Sequence, residues 1–192
     1  AYEQSGKRIM HLQRAVDGFD LFTRGIGVGP QVRCVEYDAA APLHDRYVIA
    51  KDFMSSSDQK LMKDMTLTIN AFFGWDFNSC EALRKDGVFH PIDFANACPD
   101  SQVTSLHYHW PWLVKAKVRW AVYCAATKKK FRKNLDWEPF FAAADRGKPL
   151  PERLADLAAI AHERFETDRF AEFCAKHLGA LDEVADKLFG DD

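Results

Sequence analysis

The chain has 192 residues, 47% hydrophobic and 28% charged, with a formal net charge of −2. This is the composition of a folded globular chain and excludes a disordered or fibrous one, while the near-neutral balance excludes whole-chain attraction to nucleic acid or to an anionic membrane. The cysteines (Cys34, Cys80, Cys98, Cys124 and Cys174) are odd in number and form no Cys-x-x-Cys pair. That pattern favours reduced thiols in a cytoplasmic protein over a disulfide framework or zinc knuckle.

In chain order, the first residues read as a helix running into a strand, and an N-terminal portion of the gene product is expected to precede them. "KRIMHLQ" (7–13) alternates and predicts a strand. Two more are predicted over 19–27 and 31–38, joined through Gly27-Val28-Gly29-Pro30, because glycine supplies the positive φ that such turns need. Residues 39–53 read as an irregular connection. Ser56 or Ser57 can cap a helix that carries Leu61, Met65, Ile69 and Phe72 on one face, with Gly74 after its last residue, Phe73. "FNSCEALR" and "VFHPID" predict a second hairpin. A helix is expected from Trp110 to about Thr127, with Pro111 in its first turn. It is apolar on most sides through Trp112, Val114, Val118, Val122 and Cys124, but Lys115, Lys117 and Arg119 interrupt it, so it is a buried helix and not a membrane span. The basic run "KKKFRK" (128–133) follows, and helices over 151–165 and 168–188 close the chain. Strands first and helices afterwards indicate an α+β fold, an antiparallel sheet with packed helices over residues 1–101 and a helical extension over 102–192.

Glu81 and Asp93 lie on the two arms of the second hairpin. A three-residue loop, Lys85-Asp86-Gly87, would give them equal parity and make them diagonal neighbours roughly 7–8 Å apart. A two-residue Asp-Gly loop would put them on opposite faces. Asn96, just past the end predicted for the second strand, adds a neutral oxygen. Two carboxylates and a carboxamide are hard ligands that suit Mg²⁺ or Mn²⁺ better than zinc. The alternative is a solvated carboxylate pair on an exposed sheet face.

The stretch "GWDFNSCEALRKDGVFHPIDFANACPD" resembles the metal-binding end of an ATP-grasp domain, the fold of carboxylate–amine ligases such as glutathione synthetase, D-alanine–D-alanine ligase and the ribosomal-protein glutamate ligase (RimK-like) group. Members carry a carboxylate on one strand, a short turn, and a strand ending in a carboxylate with an asparagine and then a proline beyond it, places that Glu81, Asp93, Asn96 and Pro99 occupy. "IMHLQRAVDGFDLFTRGIGVGPQVRCVEY" is similar to the adenine-hinge strand and following hairpin of that family. The resemblance covers about residues 1–100. It implies an ATP- and Mg²⁺-dependent ligase whose Gln13 meets adenine and whose Asp20, or else Asp17, meets the ribose. Arg24, Arg33 or Arg46 would approach the phosphates or an acyl phosphate. A carboxylate, small or peptidic, would be phosphorylated and then attacked by an amine.

There are departures. Asp93 and Asn96 are three residues apart where the family has two, which requires a bulge, and Asp100 stands where a glycine is usual after the proline. The family's phosphate-gripping lysines and glycine-rich loop are not in this chain. A non-catalytic nucleotide-binding domain and a metal-dependent phosphohydrolase on the same carboxylates are therefore rival readings.

The remaining signals carry less. His107 and His109 are expected in a structural or substrate-facing role, and "KKKFRK" as a solvated helix end, so nucleic acid is not an expected partner. "GIGVGP" joins two strands and does not open a helix, so it is no phosphate loop. The late helices can mediate a homodimer or shape a substrate pocket.

Overall fold

A computed structural model describes residues 12–132, 134–144 and 147–189. The predicted 7–13 strand lies outside the described residues except for Leu12 and Gln13, which are not in a strand. The strands are β1 (Leu21–Val28), β2 (Gln31–Tyr37), β3 (Tyr47–Val48), β4 (Phe77–Lys85) and β5 (Val88–Ala97). They form one antiparallel sheet in the order β3-β2-β1-β4-β5. Gly29, at φ 55°, makes the β1–β2 turn with Pro30. The fold is α+β: one helix, Ser56–Phe73, falls between β3 and β4, and the remaining helices follow the strands.

Helix α1 (Ser56–Phe73) follows β3. Its cap is Ser55, one residue before the expected position: the Ser55 hydroxyl accepts the Asp58 N–H at 3.1 Å, and Gly74 ends the helix at φ 70°. The buried face is Met62, Thr66, Leu67, Asn70 and Ala71, not the predicted Leu61-Met65-Ile69-Phe72 stripe, which is only partly covered. The reason lies in β1. Gly25 and Gly27 present no side chain there, and a Cβ on either would fall inside contact distance of Thr66 or Asn70. The helix therefore settles onto the strand through its small polar residues, and the larger apolar ones flank the contact.

The other sheet face carries Ile26, Val28 and Val35, which share a core with Leu113, Ala116 and Trp120 of α3 (Trp110–Thr127). Only one side of α3 is buried, and Val118 and Val122 are exposed, so part of its apolar surface lies outside the core. Before it comes the short α2 (Val103–Leu106). After it come α4 (Glu138–Ala144), α5 (Leu150–Phe165), α6 (Thr167–His177) and α7 (Leu181–Phe189). The predicted single helix over 168–188 is thus two helices with Gly179 between them, a residue that weakens a helix interior. The break lets α7 fold back on α3, where Asp182 accepts from Lys115 at 3.0 Å and Arg119 at 2.8 Å. Among the described residues no helix is long and apolar enough to cross a membrane.

Candidate functional site

The second hairpin is tighter than expected. Lys85 pairs with Val88, so the turn is the two residues Asp86 (φ 51°) and Gly87 (φ 74°), as an Asp-Gly hairpin turn requires. Continued without interruption, that register would set Glu81 opposite Ile92, on the face away from Asp93. The ladder shifts instead. β5 carries an extra residue between Pro91 and Asp93, and Glu81 pairs directly with Asp93. Pro91 has no N–H to give the ladder, and prolines in strands concentrate at such bulges and on edge strands, which β5 is. A second shift pairs Ser79 with Asn96, absorbing the three-residue spacing from Asp93. Asp93 is therefore inside a strand that runs on to Ala97, not at a strand end, and it is a direct rather than a diagonal neighbour of Glu81. Two bulges, not a longer turn, bring Glu81, Asp93 and Asn96 to one face.

Arg24 on β1 lies across from Glu81 on that face. Its guanidinium donates to Glu81 Oε1 and, at 2.6 Å, to the Tyr47 hydroxyl, and it sits 4.2 Å from the Tyr37 ring centroid. The pair is almost buried, with side-chain exposures of 12% and 11%. Burial pushes the Glu81 carboxyl up, Arg24 pulls it down, and Asp93 pushes it up again. Asp93 itself is exposed and has no hydrogen-bond or ion-pair partner among the described residues. Asn96 donates to Ser79 Oγ at 3.3 Å, and its side-chain carbonyl oxygen has no hydrogen-bond partner among the described residues.

The other expected residues are dispersed. Arg33 is on the Arg24 face, 5.8 Å from the Trp112 ring centroid, and burial lowers its pKa. Arg46 donates through Nε to Ala41 O at 3.1 Å in the loop before β3. Asp20 is held by Arg84, which also reaches Asp58 of α1 at 2.7 Å. That places Asp20 toward the α1 face and away from the carboxylate pair. Gln13 does not neighbour the β1–β2 hairpin; it is exposed and donates at 3.4 Å to the carbonyl of the bulged Ile92 on β5. Of the implied nucleotide contacts, only Arg24 meets a predicted metal ligand. Tyr37 and Tyr47 around Arg24 were missed. Tyr37 shares parity with Arg33 and could have been found, but Tyr47 sits in a stretch without periodicity.

Donor chemistry fits a hard cation in part. Among the described residues no three His, Cys, Asp or Glu side chains gather as a metal group, and Arg24 already engages Glu81. Mg²⁺, however, is commonly held by one or two carboxylates, with substrate phosphates and water completing its shell. Asp93, the second oxygen of Glu81 and the Asn96 carbonyl suit that role. Comparison of the chain with models of known families, with curated proteins and with solved structures gives no match.

Proposed function

We propose that the sheet face bearing Glu81, Asp93 and Asn96 binds Mg²⁺ (or Mn²⁺) with ATP, as part of a carboxylate–amine ligase of the ATP-grasp type. The observation that carries this reading is the double bulge in β5. It brings two carboxylates and an amide of unequal sequence spacing to one face, where an unbulged strand would separate them. Bulges of this kind recur where a side chain must be re-aimed near a site. The metal would neutralise phosphate charge as a γ-phosphoryl group passes to a carboxylate. Arg24, fixed by Tyr47 and Tyr37, would hold Glu81 in place and keep it ionised despite its burial. Arg33, half-buried and without an ion-pair partner among the described residues, is the better placed of the two arginines to meet an anionic substrate group.

The Arg24–Glu81 pair also favours a second reading. A carboxylate neutralised from within is a weaker cation ligand, as in a nucleotide-binding domain that does not turn over. The test is Mg²⁺-dependent ATP turnover by the full gene product, supplied with mixed amino acids and peptides as carboxylate and amine. Asp93→Asn removes one charge and keeps the side-chain shape. Turnover lost in Asp93→Asn supports the ligase. Mg·ATP binding without turnover in the parent supports the second reading, and turnover undiminished in Asp93→Asn rejects the metal site.

A further inference from the structure

A cleft of about 450 Å³ opens far from the carboxylate pair, where the end of α1 meets the segment after α3 and the end of α5. Two left-handed residues shape it. Lys128 (φ 53°) ends α3 and Glu166 (φ 55°) ends α5, each reversing the chain at the cleft. A non-glycine residue in that region is strained, so surrounding contacts must hold it there, and at Glu166 they do. Lys129 Nζ donates to Glu166 Oε1 at 2.7 Å, and the fully buried Tyr123 gives its hydroxyl hydrogen to the other Glu166 oxygen. Arg164, 8% exposed, donates to the carbonyls of Ala71 (3.2 Å) and Asp136 and lies 4.4 Å from the Phe140 ring centroid.

Charge in the cleft is not balanced. Its cations are Lys129, Lys130, Arg132 and Arg164, and its carboxylates are Asp76, Glu163 and Glu166. Glu166 is taken by Lys129, and the exposed Glu163 offsets one of the three remaining cations, Lys130, Arg132 and Arg164. Asp76 accepts the Trp120 indole N–H at 3.1 Å, and burial pushes its carboxyl up toward the neutral form. Lys130 and Arg132 are exposed and have no hydrogen-bond or ion-pair partner among the described residues, and burial first, then the charge of Arg132, lowers the Arg164 pKa. Unpaired cations beside a buried guanidinium call for an anion of more than one charge, and the arginine fork matches phosphate oxygens. The cleft is also lined by two aromatic rings, the exposed Phe131 and the largely buried Phe165. The volume suits a small molecule.

We propose that this cleft binds a phosphomonoester carrying an aromatic or heteroaromatic ring, its phosphate on Lys130 and Arg132 and its ring against Phe131 and Phe165. Nothing in this inference depends on the sheet-face site. Phenyl phosphate is the probe, titrated calorimetrically into the full gene product with inorganic phosphate and phenol as arms. The expected result is one saturable site for phenyl phosphate, with both arms weaker by about tenfold or more. The double variant Lys130→Ala/Arg132→Ala should lose about tenfold in affinity, as two surface charge contacts allow. Asp93→Asn should bind as the parent does. Both altered cationic residues are exposed, so the urea midpoint of the double variant is expected to match the parent and confirm that it folds. Absence of saturable binding to the parent, undiminished affinity in the double variant, or inorganic phosphate binding as tightly as phenyl phosphate would each overturn the proposal. Loss of binding in Asp93→Asn would place the ligand on the sheet face and overturn it equally.

Discussion

Glu81 and Asp93 face each other directly across β4 and β5, held in that relation by the extra residue beside Pro91. Like charges opposed on a sheet face repel, and among the described residues only Arg24 is paired against them. Asp93→Asn should therefore stabilise the metal-free protein at pH 7 by about 0.5 kcal/mol. Chemical denaturation with and without Mg²⁺ checks this. The gain should vanish below the Glu81 pKa, where the pair no longer carries two charges.

Arg24→Leu should do the opposite. It leaves Glu81 buried beside Asp93 with no cation, a change that costs about 3 kcal/mol in comparable buried pairs. The sign with pH follows from the direction of the Glu81 shift. Burial already raises that carboxyl above its usual 4.5, and losing Arg24, the main influence lowering it, raises it further. A raised folded pKa means stability is full below the unfolded value and falls as pH rises through the folded one. The difference between parent and variant should thus be small near pH 4 and large at pH 7, measured by urea midpoints at both.

Gly25→Ala tests how α1 docks. The added methyl would enter the space of Thr66 Oγ1, and Thr66 is fully buried with its hydroxyl committed to Met62 O at 2.8 Å. Overpacking of that kind costs about 1–3 kcal/mol. Gly87→Ala makes a useful contrast. No atom lies within 4 Å of its added methyl, so its cost comes only from the left-handed backbone at φ 74°.

Glu166→Gln probes the wall of the phosphate cleft. Hydrogen bonds from Lys129 first, then Tyr123, hold the Glu166 carboxyl below its usual 4.5. A lowered folded pKa contributes stability above the unfolded value and loses it as pH falls through the folded one. The substitution should cost about 1 kcal/mol at pH 7, with the cost fading as pH falls below the unfolded 4.5 and through the lowered folded value. Thermal melts across that range check it.

Local signals determined much of this protein. The spans of α1 and α3 were legible because a serine cap, an N-terminal proline, apolar periodicity and a following glycine all act within a few residues of the helix they bound. The order of strands then helices, and so the α+β class, was legible for the same reason. Tertiary structure decided what surrounds the carboxylates. The Asp-Gly turn alone would have separated Glu81 from Asp93, and only the ladder of a proline-interrupted edge strand reunites them. The Arg24 contact with Glu81 is a cross-strand relation set by β1–β4 pairing across 57 residues of chain. The cleft at Lys130 and Arg132 exists because α1, α3 and α5 converge on it, and no local pattern records a meeting of elements so distant in sequence.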